Sequence, residues 1–280
     1  MFWILQRDRG TLIIIPVPCV GSTMSWDTLR LDWDGDVATI TIDRPEQMNA
    51  LNADTLDALE DALDEAEDGG ARVVVLTGAG EKAFIAGADI GYMKDIGSPA
   101  AQAYAEQGHR IATRLEEFPA PTIAAINGYA FGGGMEFALA CDLRVASERA
   151  LLGQTEIDLG IMPGWGGSVR LPALVGDEVA RRLIFFGERI DASDAHEYGI
   201  VGEVVAHDQL DSHVEDLAAD LASKPRHALA GAKAAINMSH DAPRDAALDF
   251  EARVWSGLFG THDQREGMDA FLDKRDPDFE

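Results

Sequence analysis

The chain has 280 residues, 46% hydrophobic and 26% charged, enough apolar matter for one large domain or two small ones, which excludes disorder, a collagen-like repeat and a disulfide-stapled miniprotein. Forty-nine Asp and Glu stand against 23 Lys and Arg, a formal charge of −26; nucleic-acid binders carry basic faces that neutralise phosphates, so this balance argues against such a partner. The acidity is spread along the chain and lysines number only five (Lys82, Lys94, Lys224, Lys233 and Lys274), which fits either a salt-rich cytoplasm, where about 1 M salt screens self-repulsion beyond roughly 3 Å, or an acidic enzyme kept soluble by its charge.

At the N-terminus, Leu12 to Val20 is an apolar run behind Arg7 and Arg9. Pro16 and Pro18 interrupt it and no small-residue cleavage site follows, so it makes a poor signal peptide; its nine residues are too few to span a bilayer. Residues 1–24 are expected to be an extension outside the fold, with Met24 the natural start; a secretory or anchoring signal and an extra strand are the alternatives. Residues 25–205 are expected to form an α/β core and 206–280 a helical C-terminal region.

From Asp36 the chain alternates up to the breaker Arg44-Pro45, which predicts a strand. Asn52 or Asp54 then caps a helix whose stripe is Leu56, Leu59, Leu63 and Ala66, ending at Gly69-Gly70. Arg72 to Thr77 is a β-branched run of the kind buried on both faces in parallel sheets. A glycine-rich loop (Gly78, Gly80, Gly87), a helix over 99–117, a strand over 122–127 and an apolar helix opened by Gly132-Gly133-Gly134 follow, then a strand over 143–146. Apart from a strand near 200–205, the remainder reads as helices over 168–175, 178–186, 210–222, 227–238, 244–259 and 265–273. Strands alternating with helices predict an α/β fold with mostly parallel pairing.

Two glycine-rich segments, Ala86 to Ile90 and Gly132 to Glu136, each follow a strand. A glycine turn that opens a helix aims free N–H groups and the positive end of the dipole at one point, the anatomy of an oxyanion site; tight backbone packing is the structural alternative. Glu136 and Glu156 interrupt otherwise apolar runs, and a carboxylate in such a place needs a partner or a job. Together, beside a candidate oxyanion site, they point to general acid/base work on a polarised carbonyl. There is no phosphate loop, dinucleotide fingerprint or His-Glu-x-x-His pattern, and Ser168 does not sit in a nucleophile elbow. His207 and His213 read as exposed residues rather than metal ligands. Cys19 and Cys141 are too few for a disulfide framework, which points to an intracellular chain, with Cys141 a packed core thiol.

Six segments, in order, resemble the enoyl-CoA hydratase/isomerase (crotonase) family: Arg44 to Leu51, Lys82 to Ile90, Asn127 to Asp142, Gly153 to Ile157, Gly160 to Gly167 and Glu266 to Arg275. The resemblance runs from about Trp26 to Glu280. It implies a crotonase-type spiral of repeated β-β-α units with a helical C-terminal oligomerisation region, a homotrimer or homohexamer, and a cytoplasmic enzyme of fatty-acid β-oxidation or a related pathway. It implies an acyl-CoA substrate, with coenzyme A part of that substrate, no separate cofactor, no metal, and no nucleic-acid or membrane partner. The backbone N–H groups of Ala88 and Gly133 would form the oxyanion hole, and Glu136 and Glu156 would hold one water. Members that only shift a double bond often keep one base, so two glutamates favour a hydratase over a 3-enoyl-CoA isomerase. The implied substrate contacts are Lys82, Ala86, Ala88, Asp89 and Ile90 on the first loop, Gly132 and Gly133 on the second, Gly164 and Trp165 on a third, and Phe271 and Lys274 in the C-terminal helices. Lys82, and Lys274 from a neighbouring subunit, are candidates for the adenosine phosphates or else ordinary solvated lysines; Gly91 and Tyr92 replace the Lys-Glu often found there. Trp165 either narrows the acyl site or packs against the sheet.

Overall fold

The computed structural model describes residues 2–8, 11–17 and 21–280, the first two stretches by backbone alone; Cys19 lies outside the described residues. Phe2–Asp8 (β1) and Thr11–Val17 (β2) pair antiparallel with each other and with no other described strand. The main fold begins at Thr23–Ser25 (β3), just inside the segment assigned to the extension, because β3 pairs with Leu29–Asp34 (β4) as the edge of a large sheet. Strand β4 alternates buried and partly exposed residues and turns through Gly35-Asp36 into Val37–Ile42 (β5). The positive φ of Gly35 (57°) is what a two-residue hairpin turn requires.

Helix α1 (Ala53–Asp68) starts where Asn52 accepts the Thr55 N–H at 2.9 Å, and its Leu56, Leu59, Leu63 and Ala66 stripe is fully buried. A β-β-α unit then repeats. Val73–Gly78 (β6) and Ala83–Ile85 (β7) lead into a short helix Ile90–Met93 (α2) and Ser98–Glu117 (α3). Thr122–Ile126 (β8) and Tyr129–Phe131 (β9) lead into Gly133–Ala140 (α4); Leu143–Ser147 (β10) and Leu151–Gly153 (β11) lead into Gly167–Val175 (α5) and Asp177–Phe186 (α6). Ile190–Asp191 (β12), Ala192–Glu197 (α7) and Glu203–Val205 (β13) close the core, and four helices follow: Leu210–Ala222 (α8), Arg226–Asp241 (α9), Arg244–Leu258 (α10) and His262–Asp273 (α11).

The first strand of each unit joins a seven-stranded sheet ordered β13-β10-β8-β6-β5-β4-β3, parallel from β5 to β13. The second joins a small sheet ordered β12-β11-β9-β7, in which β7, β9 and β11 run parallel. The chain therefore steps between two sheets as it winds, the spiral expected from the resemblance. One face of the large sheet packs in the main core with α1, α3 and α4; the other is covered by Leu210, Val214 and Ala218 of α8. Helix α8 thus belongs to the core, although the sequence division at 205 placed it outside.

Helices α9 and α10 bury none of their own residues. Polar contacts tie α9 down: Lys233 Nζ pairs with Asp142 Oδ2 at 2.7 Å and donates to the Leu115 and Ala120 carbonyls at 3.2 Å, and Asn237 donates to the Glu116 carbonyl at 2.8 Å. Ile236, Leu248, Trp255, Phe271 and Leu272 remain exposed on this region.

Candidate active site

The three parallel strands of the small sheet end at one edge, and the residues just past each end include those that the sequence singled out. After β7 come Ala86 to Asp89, after β9 comes Gly132 at the start of α4, and after β11 come Gln154 and Glu156.

Residues Met48 to Leu51 hold the first loop: Ala86 N–H donates to the Met48 carbonyl, Leu51 N–H to Gly87 and Asp89 N–H to Leu51. This is a parallel bridge between Leu51 and Ala88, and its pattern turns the N–H of Ala88 away from the Leu51 segment. At the second loop, Gly133 is the first residue of α4, so its N–H has no intrahelical acceptor. The loops touch: a Cβ on Gly87 would lie 3.1 Å from the Phe131 carbonyl oxygen and 4.0 Å from the Gly133 nitrogen. Gly87 (φ 101°) and Gly132 (φ 50°) adopt backbone that only glycine takes without strain.

Glu136, on the first turn of α4, is 2% exposed. Its Oε1 accepts the N–H groups of Trp165 and Gly167, each at 2.7 Å, so the carboxylate caps the N-terminus of α5, where the dipole favours negative charge. Burial pushes its carboxyl above the ordinary value, opposed by the N–H groups of Gly167, Trp165 and Gly164. Glu156 is 8% exposed and has no such cap. Burial first, and the neighbouring Glu136 charge second, push it up to about 7. With its amide nitrogen toward Glu156, Gln154 donates to both carboxylate oxygens at 3.1 and 3.2 Å. The two glutamates are thus buried close together in unlike surroundings, one anchored by the Trp165 and Gly167 N–H groups and the other poised to exchange a proton near neutrality.

Trp165 is 4% exposed. Its ring is buried between α3 and α4, stacked on Phe137 (5.2 Å between centroids), edge-on to Tyr104 (5.2 Å) and over Gly108 and Gly133, where any Cβ would strike it at 2.3 Å. Asp89 is engaged within the protein: one oxygen accepts the Tyr92 N–H at 3.3 Å and the other pairs with Arg44 at 3.1 Å. Ala86 is half-buried, whereas Ile90 and Gly164 are exposed at the rim. Lys82 is exposed at the opposite end of β7 from the Ala86–Asp89 loop. Phe271 and Lys274 are exposed at the end of α11, and among the described residues no hydrogen bond or ion pair joins them to the two loops or the glutamates.

Cys141 is a buried thiol that burial pushes up to about 12, as befits an inert core group. His207 is not the exposed residue expected: its ring bridges Ser147 Oγ and Glu81 Oε2, both at 2.9 Å, with 14% of the side chain exposed. A position just past a strand and two polar partners explain what a reading by spacing missed. Gln154, Arg44 and the N–H groups of the Trp165 loop also went unassigned. Gln154 could have been found as the first polar residue after the apolar Leu151-Leu152-Gly153 run.

The family described as enoyl-CoA hydratase/isomerase matches residues 32–280. Over 253 residues the chain is 42% identical to a short-chain-enoyl-CoA hydratase of Clostridium acetobutylicum, covering 90% of this chain and 97% of the relative. It is 39% identical over 257 residues to a crotonyl-CoA hydratase of Syntrophomonas wolfei, covering 91% and 99%. The crystal structure of an enoyl-CoA hydratase from Bacillus anthracis matches with a TM-score of 0.87 at 39% identity, over 90% of this chain and 99% of that one.

Proposed function

The chain belongs to the enoyl-CoA hydratase/isomerase family, and from that premise we propose that it is an enoyl-CoA hydratase, adding water reversibly and syn across the double bond of a trans-2-enoyl-CoA to give the 3-hydroxyacyl-CoA. The observation that carries the reading is the buried pair itself: Glu136 held by backbone N–H groups and Glu156 raised to about 7.

In the proposed reaction the thioester oxygen accepts the N–H groups of Ala88 and Gly133. A water between the two carboxylates bonds through its oxygen to C3 as the C2–C3 π pair moves toward C2 and the thioester oxygen. One water proton goes to a carboxylate, and C2 takes a proton from Glu156, so the balance is one water added. Glu136, anchored by backbone N–H groups, orients the water; Glu156 has the affinity to give and take a proton at neutral pH. The proton's place at each stage belongs to the coupled pair. N–H groups fixed at the oxygen stabilise charge that develops only in the transition state, where losing one donor typically costs about 10²–10³ in rate.

The same reading extends to the setting: a cytoplasmic enzyme of β-oxidation or a related acyl-CoA pathway, adapted to salt. No helix among the described residues is long and apolar enough to cross a membrane. The apolar side chains left exposed on α9 to α11 support assembly into trimers or paired trimers. A panel of 2-enoyl, 3-enoyl and 3-hydroxyacyl thioesters tests the reaction. Loss of the conjugated absorbance of crotonyl-CoA, with a slow or absent shift of the 3-enoyl double bond, is expected; conversion of the 3-enoyl thioester alone would reassign the protein as an isomerase.

A further inference from the structure

We propose that Arg44 is a positioning residue for the oxyanion hole, acting through Asp89. The proposal rests on the assignment of the Ala88 N–H as an oxyanion donor. Asp89 follows Ala88 directly, and its carboxylate is held by the Arg44 guanidinium at 3.1 Å, with side chains only 15% (Arg44) and 21% (Asp89) exposed. The other guanidinium nitrogen donates to the Ala50 carbonyl, next to Leu51, the residue that bridges Ala88. Arg44 therefore grips both sides of the bridge that aims the Ala88 N–H. Its own base is fixed, because Arg44 N–H donates to Asn49 Oδ1 at 3.0 Å while Asn49, buried, donates to the Ala79 and Ala83 carbonyls.

The pair also acts electrostatically. A bare carboxylate one residue from the donor would oppose the negative charge that builds on the thioester oxygen; in a half-buried site that repulsion is poorly screened. Arg44 neutralises it. A guanidinium is suited to the task because its planar fork reaches two acceptors at once, which a lysine ammonium does not do with fixed geometry.

The test compares R44M, R44K, D89N and the double variant R44M/D89N in steady-state hydration of crotonyl-CoA. It also uses the absorption band of bound cinnamoyl-CoA, which moves to longer wavelength as its carbonyl is polarised. Misplacing a reacting contact by an ångström costs on the order of 10²-fold, so R44M should lose about 10- to 100-fold in kcat with KM moving far less, and lose most of the red shift. R44K should fall between. The double variant should regain several-fold over R44M, since the unpaired carboxylate is gone; a role in loop integrity alone predicts no recovery. R44M with kcat within twofold of wild type and an unchanged red shift overturns the proposal, as does a double variant no better than R44M. If R44M does not fold, a wild-type red shift in the conservative R44K and D89N variants overturns it, and a diminished one supports it. A wild-type protein that shifts the band but hydrates nothing would remove the hydratase reading and leave the Arg44 proposal standing on the band alone.

Discussion

Replacing Glu156 by Gln should kill the activity and stabilise the fold, and the second effect should depend on pH. Glu156 is pushed from its ordinary 4.5 up to about 7, by burial and then by the Glu136 charge. A carboxyl whose folded value is raised binds its proton more tightly folded than unfolded. Its contribution is therefore intact below about 4.5 and is lost as pH rises through about 7. That difference corresponds to about 3 kcal/mol of stability forfeited by the wild type at pH 8 relative to pH 4. The amide cannot ionise, stays within reach of Gln154 and forfeits nothing, while hydration falls about 10²- to 10⁴-fold. Thermal midpoints of both proteins measured between pH 5 and pH 8 should draw apart as pH rises, by about 5–10 °C at the upper end, at a few degrees per kcal/mol. A gap that stays constant over this range would refute the raised value and with it the account of Glu156 as a proton carrier at neutral pH.

Gly132→Ala should cost about 100-fold in kcat while leaving the far-ultraviolet circular dichroism unchanged, because φ is 50° there and the new Cβ would lie 2.9 Å from Glu156 Oε1. Lys233→Met should destabilise the protein by about 2–4 kcal/mol in urea titration, since it strips the cation from a mostly buried pair whose aspartate is 26% exposed; limited proteolysis should then cut first near α9. The thermal midpoint should rise toward molar KCl, as expected of a chain with 49 acidic against 23 basic residues, and the KM for crotonyl-CoA should not increase over the same series.

The long elements were legible because they obey a period: α1 shows its Leu stripe, and β6 and β8 are apolar runs bounded by turn residues. The small sheet was not, because β7, β9 and β11 have three residues each, too few for alternation to show; the sequence reading left β7 within a glycine-rich loop and assigned β9 and β11 to no element. The hairpin partner β4 was passed over although it alternates. Glu136 and Glu156 were legible as charges inside apolar runs. Arg44 was hidden by its own neighbour: Arg44-Pro45 ends a strand, and that explanation used up the residue before its side chain was considered. What sequence could not show for Trp165 is the slot that the missing Cβ atoms of Gly108 and Gly133 make for it between two helices, a complementarity spread over positions far apart in sequence.

The common edge of the small sheet also bears on how such a protein can change over generations. The Ala86–Asp89 loop, the glycine turn and the Gln154–Glu156 segment each follow a different parallel strand, and each strand comes from a different β-β-α unit. Every unit hands one reagent to a shared bench while its hydrophobic strands and helices do the folding elsewhere. A substitution just past one strand end can therefore alter a single chemical step without disturbing the other two contributors or the core beneath them. The division of labour lets one scaffold try new reactions one residue at a time.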